Sequence, residues 1–276
     1  MAAMDKAMTP RLRFSLKAYN TATKSRNRMH DDTVARSYGF DGGLVPGVVL
    51  LAYMAHPPVT RWGLDWLSEG SISARFSMPV YHGDRVTISA SSDQEASDDE
   101  MVLALADSNG ELKVSGLASA RSQATPHQID MEAAPELPKT LPIASPNSLS
   151  TGTMLAPWVE QFHAAQSVDY LETIGAPASV FTRHRVAQPG WFAELANSLL
   201  SSNVALGPWI HVSSDITMYG LVHDEQLILT CGRVRDEYER RGHRFVVVDC
   251  ALTEGSRRVA DVVHTAIYSP HQETPT

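Results

Sequence analysis

The chain has 276 residues and a mass of 30.1 kDa, enough for one large core or two domains of about 100 to 150 residues each. Hydrophobic residues make up 43% and charged residues 20%, a globular composition that excludes disordered and fibrous classes. The net charge of -8 comes with no basic stripe, and the longest apolar run, Leu44 to Ala55, is interrupted by Pro46 and Gly47, so neither nucleic acid nor a membrane is an expected partner.

Along the chain, Met1 to Arg13 mixes Asp5, Lys6, Arg11 and Arg13 with no apolar core of the secretory type, which makes the cytoplasm the expected compartment. Leu44 to His56 reads as an apolar, buried helix with Pro46 in its first turn, ending at Pro57 and Pro58. Four strand-like runs follow, Ser71 to Val80, Arg85 to Ser91, Met101 to Asp107 and Leu112 to Arg121, with turn signals at Gly83-Asp84 and Asn109-Gly110. Short turns between consecutive strands predict an antiparallel sheet. From Ser122 to Ser150 the composition shifts to Pro, Ala, Ser, Thr and Glu, as expected of an extended linker.

Beyond the linker the order repeats. Pro189-Gly190 opens a helix over Trp191 to Asn203, and strands follow at Trp209 to Met218, Gln226 to Arg235, Arg244 to Thr253 and Arg257 to Tyr268. Landmarks recur at nearly constant offset: Gly47 to Gly190 is 143, Asp84 to Asp224 is 140, and Val114 to Val259 is 145. This pattern predicts an internal duplication. A long apolar helix followed by antiparallel strands predicts a sheet wrapped around its own helix. The expected class is therefore α+β, a double hot-dog: an N-terminal lobe over 1–124, a Pro-rich linker over 125–150 and a C-terminal lobe over 151–276, paired as a pseudo-dimer. Such lobes commonly associate further, so a homodimer is a possible assembly. Cys231 and Cys250 lie inside strand-like runs and read as buried core thiols.

The segment Asn27-Arg28-Met29-His30-Asp31-Asp32, followed by Ala35, Gly39-Phe40 and Leu44-Val45-Pro46-Gly47, resembles the hydratase motif of the MaoC-like, R-specific enoyl-CoA hydratases and dehydratases. Arg75-Phe76-Ser77-Met78-Pro79-Val80 with Gly83-Asp84 is similar to the strand and turn after that family's central helix. The resemblance covers about 15 to 121 by motif; the second half joins it through the repeated element order and Gly242-His243-Arg244-Phe245. Two positions depart from the family pattern. An Asp usually stands five residues before the His and a His before the helix glycine, where this chain has Ser25 and Pro46.

What the resemblance implies is water addition to, or removal from, an acyl thioester or related conjugated carbonyl, with CoA or an acyl carrier as part of the substrate and no separate cofactor. His30, whose ordinary pKa lies near 6.5, is the candidate acid/base, working with Asp31, Asp32 or a residue of the second lobe. Ser25 cannot replace a carboxylate as base, because its hydroxyl takes up no proton near neutral pH, and stands as a substrate-contacting hydroxyl or a local cap. Asn27 either orients His30 and substrate or forms a turn. Val45 and Gly47 are candidate substrate-binding residues; the Gly47 N–H at a helix start is placed to receive the charge that develops on a thioester oxygen, although Gly47 also reads as a close-packing glycine.

The remaining histidines, among them His211, His223, His243 and His264, lie on separate elements without ligand spacing, so no metal site is expected. Asp236 to Arg244 reads as a solvated hairpin with surface ion pairs, or else as a site for CoA phosphates. Trp191, Phe192 and Trp209 either fill the core or line an acyl tunnel. Three other functions are open: a hot-dog thioesterase, for which a cavity-facing Glu194 on the second helix would supply the carboxylate; an isomerase or cyclase of specialised metabolism; and a non-catalytic ligand-binding protein that keeps the fold.

Overall fold

In the strand regions, apolar residues alternate with polar ones, as in Arg85–Ser91, where Val86, Ile88 and Ala90 are buried and the side chains between them face outward. A computed structural model, describing residues 12–91, 99–131, 133–176 and 179–271, gathers these runs into one antiparallel sheet of ten strands. The first half supplies β1 (Leu12–Lys17), β2 (Ser71–Phe76), β3 (Arg85–Ser91), β4 (Glu100–Asp107) and β5 (Leu112–Ser119). The second supplies β6 (Met154–Gln161), β7 (Ile210–Met218), β8 (Leu227–Arg240), β9 (His243–Glu254) and β10 (Arg257–Ser269). Spatial order is β1-β3-β4-β5-β2-β7-β10-β9-β8-β6, so each half has the same strand order and the two meet through β2 and β7, from Ser71 opposite Thr217 to Arg75 opposite Ser213. That shared seam leaves neither inner strand with an open edge.

Helices occupy the inner side of this sheet. The first half has α1 (Asp32–Arg36), α2 (Gly47–Met54) and α3 (His56–Glu69); the second has α4 (Ala164–Thr173), α5 (Ser179–His184) and α6 (Pro189–Asn203). Every residue of α2 after Gly47 is buried, as expected for a helix with no polar face. Packed against it, α6 buries Phe192, Leu195, Leu199 and Leu200; the larger hydrophobic cluster runs through both halves, and a smaller one gathers around Met29, Ala35 and Leu44. No helix among the described residues is long and apolar enough to cross a membrane.

The duplication is visible in local hydrogen bonding. Isolated bridges pair Leu44 with Tyr81 and Val186 with His223, each partner displaced by 142 residues. Beside them Val45 N donates to Val80 O at 2.8 Å and Ala187 N donates to Val222 O at 3.0 Å.

Several expectations need correction. The first apolar helix does not stop at Pro57-Pro58. It ends at Met54, and the two prolines stand in the first turn of α3, where the missing N–H groups have no intrahelical acceptor to lose. Gly63, at φ 62°, then breaks α3 internally. The strand expected to run to Val80 ends at Phe76, and β8, expected to end at Arg235, extends to Arg240; Asp236 to Arg244 is a hairpin with ion pairs, as expected, with Arg244 pairing with Glu237 and Glu239. The outermost strands β1 and β6 have no counterpart in the sequence-based element order. Between β5 and β6 the chain forms no helix or strand among the described residues.

Candidate functional site

Both halves contribute to a cavity of about 1270 Å³ that reaches the heads of α2 and α6. Its wall includes Ser25, Asn27, His30, Val45 and Gly47, five of the seven residues singled out from the sequence.

Backbone contacts fix His30. Its carbonyl accepts from Asn20 Nδ2 at 3.0 Å, and the neighbouring Met29 carbonyl accepts from Leu44 N at 3.1 Å. The ring lies 2.8 Å by Nδ1 from the Leu44 carbonyl. A carbonyl only accepts, so Nδ1 carries the proton and Nε2 presents a lone pair. That lone pair meets Asn27 Nδ2 at 3.2 Å. Burial lowers the His30 pKa, partly offset by the bond to Leu44, so the ring is a neutral base.

Asn27 ties the motif to the other half. Its Oδ1 accepts from Met29 N at 3.2 Å and from Trp209 N at 3.1 Å, while Nδ2 donates to Trp209 O at 2.9 Å. The alternative left open for Asn27 resolves into both roles, because it caps a 3-10 turn over Arg28–His30 and also holds the His30 ring. Ser25 donates its hydroxyl to Asn27 O at 2.9 Å.

Asp31 and Asp32 do not line the cavity. Asp31 caps α1, accepting from Val34 N at 3.0 Å, and pairs with Arg28 at 3.1 Å; the bond from Val34 is the chief cause of its lowered pKa. Asp32 accepts from Gly43 N at 2.8 Å and braces the loop beneath His30. Neither makes a hydrogen bond to the His30 ring, whose two nitrogens are occupied by Leu44 and Asn27. The expected carboxylate partner from this segment is therefore a structural residue, since short side chains next to a helix start satisfy the nearest free amides first.

The two central helices begin differently. Pro46 offers α2 no side-chain cap; Val49 N and Leu50 N reach Pro46 O, but Gly47 N and Val48 N have no hydrogen-bond acceptor among the described residues. At α6, Gln188 Oε1 accepts from Gly190 N at 2.6 Å, and Trp191 N donates to Gln188 O at 2.9 Å. Bare first-turn amides at a cavity wall form a site for an oxygen that gains negative charge. The helix starts lie against one another, since a Cβ on Gly190 would come 2.5 Å from Val48 O.

Across the cavity, Glu194 projects from α6 among Tyr170, Glu160 and Asn197, with Asn197 Nδ2 donating to it at 3.0 Å. Its side chain faces open cavity space, yet the walls shield it from bulk water. Burial, with a smaller contribution from Glu160, raises its pKa. The Tyr170 phenol is pushed well up by the same burial and by Glu194. Trp191 and Trp209 line the cavity, whereas Phe192, Tyr53 and Met54 belong to the filled core.

Sequence reasoning missed His211. From β7 it enters the wall beside Gly47: a Cβ on Gly47 would stand 2.5 Å from His211 Nδ1 and 3.0 Å from the Phe76 ring. Behind it, Ser214 Oγ lies 2.8 Å from His211 Nε2 and 3.3 Å from His264 Nδ1. No local spacing announces this group, because its members are brought together by pairing between β7 and β10. Cys231 and Cys250 are buried, and burial raises both thiol pKa values.

No family profile and no curated protein matches the sequence. Solved structures do. The chain is similar to a conserved hypothetical protein of Mycobacterium tuberculosis, essential for bacterial survival during infection, that has a double hot-dog fold; identity is 12%, coverage 94% of this chain and 96% of that one, and the TM-score 0.61. A protein of Chloroflexus aurantiacus described as a MaoC domain dehydratase matches at 13% identity, 98% and 100% coverage and a TM-score of 0.58. One of Lactobacillus plantarum described as an oleoyl thioesterase matches at 13% identity, 94% and 96% coverage and a TM-score of 0.52. The likeness first suggested by the motif around His30 thus extends through the architecture of both halves, and the chain has the double hot-dog fold.

Proposed function

We propose that this chain is an enzyme of acyl thioesters that adds water to, or removes it from, a conjugated thioester. The observation that carries this reading is the meeting of two groups on one cavity: the uncapped amides of Gly47 and Val48, and a neutral His30 whose Nε2 holds a lone pair. In the hydration direction, His30 Nε2 takes a proton from water, displacing its 3.2 Å contact with Asn27, as the water oxygen bonds to the β carbon. Electron density passes to the thioester oxygen, which the α2 amides receive. The α carbon then takes the proton back from His30, which returns to its neutral form. Arg26, Arg240 and Arg241 on the cavity wall suit an anionic carrier such as CoA.

A second reading, thioester hydrolysis, is favoured by Glu194, whose carboxylate faces the same cavity. There Glu194 takes a proton from the water that attacks the thioester carbon, and the same amides hold the resulting oxyanion.

A panel of enoyl-CoA and 3-hydroxyacyl-CoA substrates, with saturated acyl-CoAs beside them and products read by mass spectrometry, separates the two. Under the hydratase reading, His30→Ala lowers turnover of the enoyl panel by about 10²- to 10⁴-fold, and Glu194→Gln leaves saturated acyl-CoAs intact as in the wild type. Release of free acid that disappears in Glu194→Gln replaces the hydratase reading with hydrolysis. No turnover in either panel removes both and leaves a binding role.

A further inference from the structure

We propose that His211, from the second half, is a hydrogen-bond donor to the substrate's thioester oxygen, acting beside the α2 amides, with Ser214 and His264 as positioning residues that fix its tautomer. This rests on the acyl-thioester reading above and assigns a group from the other half to the same site.

The geometry has three parts. First, His211 lines the cavity and is 8% exposed, with its Nδ1 lying against Gly47, the first residue of α2. That position is next to the Gly47 and Val48 amides, which have no acceptor among the described residues, whereas Gly190 N at the other helix start is capped by Gln188. Second, Nδ1 has no hydrogen-bond partner among the described residues although it is buried. An unpaired buried polar atom is costly unless something fills it; Nδ1 is shielded where it packs against Gly47, and a small shift of the ring on binding lets a carbonyl oxygen at the head of α2 fill it.

Third, the hydrogen-bond chain behind the ring sets which atoms carry protons. A serine hydroxyl has one proton, so when Ser214 Oγ bridges two neutral imidazoles it accepts from one and donates to the other. If His211 donated to Ser214, the leftover N–H would lie on His264 Nε2, which is fully buried and also lacks a partner. Either arrangement leaves one buried N–H without a protein partner, but on His264, fully buried and off the cavity wall, nothing can pair with it, whereas on His211, which lines the cavity, a bound oxygen can. The favoured arrangement therefore has His264 Nδ1–H donating to Ser214 and Ser214 donating to His211 Nε2, which leaves Nδ1–H of His211 facing the α2 head. Burial and the neighbouring His264 keep the His211 pKa well below its ordinary value, so the ring stays neutral and donates a hydrogen bond without releasing its proton. Phe76, edge-on to the ring at 4.7 Å between centroids, holds it in place.

The test follows the carbonyl itself. [1-¹³C]Hexanoyl-CoA bound to the wild type is expected to show a downfield shift of the carbonyl resonance, lost in His211→Phe and partly restored in His211→Asn, whose amide N–H₂ sits near the Nδ1 position. A His211→Phe variant that binds the probe and keeps the full shift overturns the donor role while leaving the acyl-thioester reading intact. A wild type that does not bind the probe overturns both. Should the variants not fold, ¹⁵N spectra of the wild-type histidines decide: a protonated Nδ1 on His211 is expected, and an unprotonated one overturns the proposal.

Discussion

Both halves of the molecule open their central helix with a Pro-Gly pair, Pro46-Gly47 in one and Pro189-Gly190 in the other, yet one helix start is bare and the other is closed. The offset between halves explains the difference. It is 142 residues through Val45 and Ala187, whose amides make equivalent bonds, and 143 at the Pro46-Gly47 and Pro189-Gly190 pairs. The one-residue insertion falls at Gln188, and Gln188 is the residue whose side chain caps α6. A duplicated fold thus keeps two helix starts of the kind that can receive an anion and fills one with its own side chain. A second asymmetry runs the other way. β7 and β10 carry the buried His211 and His264, whereas β2 and β5 contain no histidine.

The largest expected effect tests this second asymmetry. His264 has its pKa lowered to about 4 by burial, and burial together with the neighbouring His264 also holds the His211 pKa well below its ordinary value. Below pH 6.5 the unfolded chain binds protons that the folded rings refuse. The stabilisation from neutral burial is therefore full above pH 6.5 and declines as pH falls toward about 4, by about 3 kcal/mol for His264 alone. Asp31, Asp107 and Asp224 have lowered pKa values and add a loss of the same sign at lower pH. Urea midpoints from pH 7 to pH 4.5 should drop in the wild type and drop less in His264→Asn; equal slopes would mean that the histidine pair is not held neutral.

Gly47→Ala comes next. Its Cβ would stand 2.5 Å from His211 Nδ1 and 3.0 Å from Phe76, so the ring must shift within the site. Turnover of whichever thioester the chain accepts should fall about 100-fold, the cost of a displacement near 1 Å, with a comparatively small change in urea midpoint. The matched change in the other half, Gly190→Ala, brings a Cβ 2.5 Å from Val48 O, a backbone atom that cannot swing away. It should cost about 2 kcal/mol of stability by overpacking, again read by urea. If instead Gly190→Ala abolished turnover at unchanged stability, the second helix start would be part of the site and the comparison would fail. Smallest is Gln188→Ala, which uncaps α6 and should lower stability by about 1 kcal/mol, measured by thermal unfolding.

Much of the fold was legible because its signals are local. The burial of α2 follows from an unbroken apolar run, β3 and β4 from alternation, and the duplication from recurring Pro-Gly and Asp landmarks. The two outer strands were not. β6 contains Pro157, which lowers strand propensity and is tolerated here because the strand is an edge, with a register shift between Leu155 and Trp158. β1 is only six residues long, and its pairing with β3 lies some seventy residues away in sequence, as Leu12 opposite Ala90 shows.

For the site, the sequence by itself determined the motif: His30, Asn27, Ser25, Val45 and Gly47 stand on one cavity wall, held within a segment short enough for its own turns to arrange them. It also determined that a helix start would stand there, since Pro46-Gly47 before an apolar run permits little else. Only the tertiary structure decided what those residues face. Asp31 and Asp32 turned to nearby amides, while His211, Ser214 and His264 came together across paired strands, and Asn27 bonded to Trp209 from the other half. Sequence periodicity reports which face of an element is buried; which burial partner supplies a proton donor or closes a helix end depends on contacts between residues far apart in the chain.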